Sequence, residues 1–236
     1  MPQTPQRNQV ILLAFACAAL IPGAALPLGA APAGAGVVRG VLRVPPVGAS
    51  FTVAANPYPG RASALPGRHD PPHGLVTDAV ISIDKLPPGV DSLLTGDPSG
   101  RILAQRQQAF SERVLSCVVG TVVDFPNQDP IFHNVFSVSP VKRFDLGKYS
   151  RGHSKQVRFG KTGLVQVFCD IHPSMACYIL VLPNRAFARP NEEGAYALPR
   201  LPAGSYTVKA WHPDFGEITR TVKVPASGEV TLDLAY

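Results

Sequence analysis

The sequence lacks helical periodicity and internal repeats, and it has few charged residues. Only 16% of the 236 residues are Asp, Glu, Lys or Arg, whereas proline (25) and glycine (21) are abundant. No long stretch places apolar residues at the 3.6-residue spacing of an amphipathic helix, which argues against a helical protein. Short runs rich in Val, Ile and Thr are instead bounded by Gly, Pro, Asn and Asp, as strands are. We therefore predict an all-β protein with one large or two small domains.

The N-terminal apolar run is too short to span a membrane. It extends from Val10 to Ile21 and is ended by Pro22-Gly23, whereas a spanning helix needs about 20 residues. Arg7 precedes the run and small residues, including Ala31-Pro32-Ala33, follow it. This order is typical of a secretory signal peptide. We predict a signal peptide over residues 1–33 and a periplasmic or secreted mature protein. An uncleaved signal, the alternative, would be its only attachment to a membrane.

Acidic residues are almost missing from one segment. From Lys142 to Lys161 there are seven Lys or Arg residues against one acid, Asp145, and the formal net charge of the chain is +6. No nucleic-acid-binding motif surrounds these cations, so nucleic acid is not expected as a partner. A solvated basic face is one interpretation of this segment. The other is a surface that steers an acidic protein partner.

Cysteine is scarce, with four in the chain. Cys17 lies inside the predicted signal peptide, so a mature protein would keep Cys117, Cys169 and Cys177. An odd number in an exported protein raises the question of which thiol is outside a disulfide. Cys117 and Cys177 could pair in an oxidising compartment, or they could be two buried thiols. The sequence does not decide between these, because a disulfide depends on the Cα separation.

Soft metal ligands are concentrated in the segment Cys169-Asp170-Ile171-His172-Pro173-Ser174-Met175, and Phe132-His133-Asn134-Val135 lies upstream of it. Two His and one Cys in a trigonal plane, with a weak axial Met, are the ligands of a single redox-active copper ion. Structural zinc would need four Cys or His ligands, and haem attachment would need Cys-x-x-Cys-His. We predict one type 1 copper, with these ligands: His133, Cys169, His172 and Met175.

The motifs Phe125-Pro126-Asn127, His133-Asn134-Val135 and Cys169-x-x-His172-x-x-Met175 resemble the cupredoxin family, the plastocyanin and amicyanin group of blue copper proteins. The resemblance implies an eight-stranded Greek-key sandwich over residues 98–184, type 1 copper and one-electron transfer. It also implies that Asn134 ties the two ligand loops together. The chain departs from the family at one position, because Asp170 stands where Thr or Ser usually follows the ligand Cys.

The C-terminal part of the chain has a second resemblance. Gly194-x-Tyr196-x-Leu198 and Leu201-Pro202-Ala203-Gly204-x-Tyr206 are similar to carboxypeptidase regulatory-like (transthyretin-like) sandwich domains. Those domains begin with a strand like Val37 to Val44, which lies far upstream here. The tail alone would be marginal as a core. We therefore predict a discontinuous β-sandwich of residues 36–86 and 186–236, with the copper domain inserted.

Together these features predict an exported electron carrier that is not an enzyme and that exchanges electrons with a redox protein. His172, flanked by Ile171 and Pro173, is the expected electron port. One alternative is a carrier or sensor that binds copper without redox cycling. Another is a non-catalytic subunit of a periplasmic redox enzyme whose catalytic centre lies on a partner chain.

Overall fold

The computed structural model describes residues 34–46, 75–94 and 101–236. The predicted signal peptide, residues 1–33, lies outside these ranges, as does the start of the predicted copper domain at residues 98–100. Among the described residues, no helix has the length and apolar character needed to cross a membrane.

Nearly all regular structure in the described ranges is β-strand, which confirms the predicted all-β class. In chain order the first nine strands are β1 (Ala35–Arg43), β2 (Val80–Ser82), β3 (Gln105–Arg106), β4 (Ala109–Phe110), β5 (Val114–Val118), β6 (Val122–Pro126), β7 (His133–Val138), β8 (Arg143–Tyr149) and β9 (Ser154–Arg158). The remaining strands are β10 (Gly163–Phe168), β11 (Ala176–Leu182), β12 (Phe187–Ala188), β13 (Ala195–Ala197), β14 (Leu201–Pro202), β15 (Gly204–His212), β16 (Gly216–Val224), β17 (Glu229–Thr231) and β18 (Leu234–Ala235). A 3-10 turn (Val76–Asp78) and the short helix α1 (Val90–Leu93) complete the elements.

The middle of the chain forms one sandwich. A five-stranded sheet in the order β5-β11-β10-β7-β8 lies against the β6-β9 pair, and inward-facing side chains of both sheets share one apolar core. Strands β10 and β11 are antiparallel, and the register pairs Phe168 with Ala176. The loop between these two residues therefore projects from one end of the sandwich, where β7 begins. This architecture agrees with the cupredoxin-like sandwich that the sequence predicts.

The two ends of the chain pair with each other in further sheets. β1 pairs with β13, β14, β17 and β18, while β12, β2, β15 and β16 form a four-stranded sheet, and both sheets contribute to a second core. The tail motif explains part of this packing. Gly194 has φ +81° and lies so close to β1 that a Cβ there would be 2.2 Å from the Leu42 carbonyl oxygen. The Tyr206 hydroxyl donates a hydrogen bond to the Pro202 carbonyl at 3.0 Å. The family of this sandwich stays a prediction.

The two sandwiches meet along an apolar seam. Alternate residues of β11 point inward to the core of the middle sandwich, and the others, including Tyr178 and Leu180, face the second sandwich. The run Tyr178 to Leu182 is apolar throughout, which predicts a strand buried on both faces, and the seam accounts for the second buried face. At its centre the Tyr178 and Trp211 rings meet edge to face, with centroids 5.9 Å apart.

A buried cluster of three charged residues, Arg113, Asp78 and Asp214, lies at this seam. The Arg113 guanidinium donates to Asp78 Oδ2 at 2.9 Å and to Asp214 Oδ2 at 2.8 Å, and all three side chains are at least 91% buried. Burial alone would lower the pKa of Arg113, but the hydrogen bonds and charges of the two carboxylates outweigh it and raise that pKa. Arg113 precedes β5, whereas both acids belong to the second sandwich, so the cluster joins the two.

The register of β5 and β11 excludes a disulfide between Cys117 and Cys177. In this parallel pair Cys117 lies opposite Val181, four positions along β11 from Cys177. Four positions correspond to roughly 13 Å at 3.3 Å per residue, and a disulfide needs Cα atoms within about 7 Å. Of the two alternatives that the sequence leaves open, the Cys117–Cys177 disulfide is therefore wrong. Both residues are buried in the core, and Cys177 is a free thiol.

Candidate metal centre

Four predicted ligands come from two places at one end of the middle sandwich. His133 is the first residue of β7, and Cys169 directly follows β10. His172 and Met175 lie in the loop between β10 and β11. This loop turns tightly, because the Cys169 amide donates to the Met175 carbonyl at 3.1 Å and the Met175 amide donates to the His172 carbonyl at 2.9 Å. These hydrogen bonds bring Met175, at the end of the loop, back beside Cys169, at its start.

Three ligand atoms converge as the spacing predicts. Cys169 Sγ lies 3.8 Å from His133 Nδ1 and 3.7 Å from His172 Nδ1, and the two Nδ1 atoms are 3.0 Å apart. Bonds from a metal ion such as zinc are about 2.0–2.1 Å long to a His nitrogen and about 2.3 Å long to a Cys sulfur. Atoms at the observed separations can therefore share one ion. The set of one thiolate and two imidazoles is the set that suits copper.

The hydrogen bond that His133 makes through its other ring nitrogen, Nε2, determines its tautomer. Nε2 lies 2.8 Å from Asp129 Oδ2, and Asp129 accepts this hydrogen bond as a buried carboxylate. The proton of a neutral His133 therefore belongs on Nε2, which leaves a lone pair on Nδ1 that faces Cys169 and His172. A carboxylate behind a histidine in this way orients the ring and strengthens it as a metal ligand. Asp129 is a functional residue that the sequence did not reveal.

Asp129 is itself held by a strained turn. Gln107 and Gln108 connect β3 to β4 with φ of 53° and 58°, a conformation that two-residue hairpin turns require and that Gly or Asn usually adopts. The backbone N–H groups of both residues donate to the Asp129 carboxylate. Burial alone would raise the pKa of Asp129, but hydrogen bonds from Gln108, His133 and Gln107 lower it. The carboxylate is thus kept charged beside His133.

The candidate ligands differ in their access to solvent. His133 and Cys169 are completely buried and Met175 is 1% exposed, whereas His172 is only partly buried. Burial, aided by the nearby His133, lowers the pKa of His172 in spite of an opposing effect of Asp129. A lowered pKa favours the neutral imidazole, which is the form that binds metal. The role of Met175 as axial ligand stays a prediction, supported by its position next to Cys169 in the core.

The loop tie implied by the family resemblance is incomplete. Asn134 is 4% exposed, yet its Oδ1 atom is buried without a hydrogen-bond partner. Asp170, which replaces the usual Thr or Ser, is exposed. A deprotonated carboxylate cannot donate to Asn134 Oδ1, whereas a hydroxyl could. The unpaired oxygen is the structural counterpart of the departure seen in the sequence.

We expect Asp170→Thr to raise the reduction potential of the copper-loaded protein. An anion near the metal favours the higher oxidation state, so its removal should raise the potential by tens of mV at low ionic strength. The Thr hydroxyl should also pair with Asn134 Oδ1 and slow metal loss. Asp170→Asn removes the charge without a hydroxyl and is the matched control for the first effect. Voltammetry at fixed pH and salt measures both, and a potential unchanged in both variants would show that solvent screens Asp170.

Comparison with known proteins gives partial likenesses. No family model matches the chain, and no curated protein matches it. Among solved structures, it is similar to a Cu-containing nitrite reductase from Thermus scotoductus, at 27% identity and a TM-score of 0.33 over 36% of this chain and 23% of that one. A purple cupredoxin from Nitrosopumilus maritimus matches at 20% identity and a TM-score of 0.32, over 34% of this chain and 98% of that one. An amicyanin matches at 18% identity and a TM-score of 0.33, over 43% and 97% of the two chains. The chain thus spans about a quarter of the nitrite reductase and nearly all of the two smaller proteins.

Proposed function

We propose that this protein is an exported type 1 copper protein that carries single electrons and is not itself an enzyme. The observation that carries the proposal is the convergence of His133 Nδ1, His172 Nδ1 and Cys169 Sγ, together with the Asp129 contact that turns the His133 lone pair toward them. Met175 would supply the weak axial ligand. Copper bound there supplies one-electron exchange between Cu(I) and Cu(II).

The surroundings of the ligands suit electron transfer. His133, Cys169 and Met175 are almost inaccessible to water, and the sheets that carry them restrict rearrangement. His172 is the ligand that reaches the surface. Next to the ligands in sequence, Phe132 is 58% exposed and Ile171 is 37% exposed. These side chains form an apolar rim through which a redox partner can approach the predicted electron port.

The same burial argues against the carrier alternative. A copper carrier must surrender its metal to a partner, which is hindered when three of the four ligands are within a packed core. In the described ranges, the His133, Cys169 and His172 cluster is the only group of His, Cys and carboxylate side chains close enough to share a metal ion. The described part of the chain thus offers no second metal centre, and the subunit alternative would place the catalytic centre on a partner chain.

The decisive test is the visible spectrum of the full-length mature protein with one equivalent of Cu(II). A thiolate bound to Cu(II) in a trigonal site gives intense charge-transfer absorption, so the protein should turn blue or green and bleach reversibly on reduction. Cys169→Ser should abolish the colour. Cys117→Ser, which alters an equally buried thiol outside the cluster, should keep it. A colourless wild-type protein that binds Cu(I) at 1:1 would support the carrier instead.

A further inference from the structure

The basic segment runs along β8, through a turn and into β9, two strands of different sheets, and most of its charges face solvent. Five of its cations are exposed, namely Arg143, Lys148, Arg151, Arg158 and Lys161, and none of the five has an ion-pair partner within the described ranges. The one acid of the segment, Asp145, accepts a hydrogen bond from the Gly147 amide at 2.8 Å. The positive charge of the basic segment is therefore not neutralised locally.

The middle of the basic segment, where β8 ends and β9 begins, lies at the candidate metal centre. The β7–β8 register places Lys148 opposite Asn134 and Tyr149 opposite the ligand His133. Arg151 lies in the turn that follows, and that turn bonds to Asn127, since the Gly152 amide donates to the Asn127 carbonyl at 2.8 Å. We call Lys148 and Arg151 the metal-end cations.

Both ends of the basic segment lie away from the candidate metal centre. Arg143 pairs with Val138 at the far end of β7, and Arg158 pairs with Val122 at the start of β6. Arg158 and Lys161 are the far-end cations. Since Arg158 is four residues along β9 from the metal end, roughly 13 Å separates the two groups. This exceeds the Debye length of about 10 Å at 0.1 M salt, so the two groups can be tested separately.

We infer that the metal end of this protein docks an acidic redox protein. The inference rests on the proposed function, because it names the partner of the same electron port. Exposed Phe132 directly precedes His133, whose register partner Tyr149 lies between the metal-end cations in sequence. Asp170 is an exposed carboxylate of the ligand loop. A positive rim steers an anionic partner to the site, and the apolar contact allows close approach without a buried ion pair. Long-range charge chiefly raises the association rate and gives specificity.

The first experiment uses the metal-free full chain, so it does not depend on copper. Hexacyanochromate(III), a redox-inert paramagnetic trianion, is titrated while amide NMR signals are recorded. We expect it to broaden the signals around Lys148 and Arg151 first. Lys148→Glu with Arg151→Glu should weaken this binding at least fivefold. Arg158→Glu with Lys161→Glu has the same net charge and should leave binding at the metal end within about twofold. Equal losses in the two double variants would overturn the inference.

The second experiment measures electron exchange of the copper-loaded protein with cytochrome c, in whichever direction runs downhill. Native cytochrome c is basic, and succinylation of its lysines makes it an acidic probe. At about 0.1 M salt, where screening separates the two groups, we expect the acidic form to react at least threefold faster. The metal-end double variant should lose that advantage, and the far-end variant should keep it. Equal rates for the two forms would overturn the inference.

The two experiments separate this inference from the proposed function. Exchange with neither cytochrome form would overturn the proposed function, while hexacyanochromate binding would still report on the surface. Nucleic acid and membrane are the other anionic partners that a basic surface could take. Binding to duplex DNA or to phosphatidylserine vesicles at 0.15 M salt, lost in the metal-end variant, would reassign the surface and overturn the inference.

Discussion

Replacing Arg113 with Ala is expected to lower the free energy of unfolding by about 3–5 kcal/mol, the typical cost of breaking a buried ion pair from one side. The substitution leaves the carboxylates of Asp78 and Asp214 buried without their cation. The loss comes from keeping these two carboxylates buried without the guanidinium, and removing all three charged groups together should cost less. Chemical denaturation of the metal-free protein measures the effect, with copper-loaded protein run in parallel.

The matched control lies on the same seam. Arg189 pairs with Glu112 across it and also donates to the Thr77 carbonyl, but its side chain is 33% exposed and that of Glu112 is 38% exposed. Exposed pairs contribute about 0–1 kcal/mol, so Arg189→Ala should have a small effect. Equal effects of the two substitutions would contradict the view that burial makes the Arg113 cluster important.

Most of the candidate metal centre could be predicted from the sequence, because three of its four residues are close together in the chain. Cys169, His172 and Met175 lie within seven residues, and one tight loop brings them together. His133 comes from another strand, but the residues that follow it, Asn134-Val135, resemble a known motif of copper proteins. The buried β11 was also predictable, since an uninterrupted apolar run indicates burial on both faces.

The remainder of the site depends on contacts that no sequence spacing encodes. Asp129 supports His133 only because the β3–β4 turn places two backbone amides against its carboxylate, and a Gln-Gln turn carries none of the usual hairpin signals. The Arg113 cluster joins residues 78, 113 and 214, which are distant in sequence. The possible Cys117 pairing with Cys177 was decided by strand register, which cannot be counted from the sequence.

Substitution of Asp129 is expected to have the second largest effect, a loss of copper affinity. Asp129→Ala should weaken copper binding 10- to 100-fold, the usual consequence of removing a group that supports a metal ligand. Without the carboxylate, the His133 proton is no longer confined to Nε2, and the ring is free to rotate from the position in which Nδ1 faces Cys169. Copper affinity is measured by competition titration on protein shown to be folded by circular dichroism, because the Gln107 and Gln108 amides also lose their acceptor.

Two further variants separate positioning of His133 from a general structural role for Asp129. Asp129→Asn keeps an oxygen that can accept from His133 Nε2 but removes the charge, so its affinity should fall between wild type and Asp129→Ala. Asp145→Ala removes an exposed carboxylate of the neighbouring strand β8 and should leave affinity unchanged. If Asp129 has only a structural role, Asp129→Ala should lower the stability of the protein without changing its visible spectrum.

If Asp129 positions His133, Asp129→Ala should also shift the charge-transfer band, because the orientation of His133 changes the field at the metal. Affinity and spectrum of folded Asp129→Ala that match wild type would show that the packing of β7 alone orients His133.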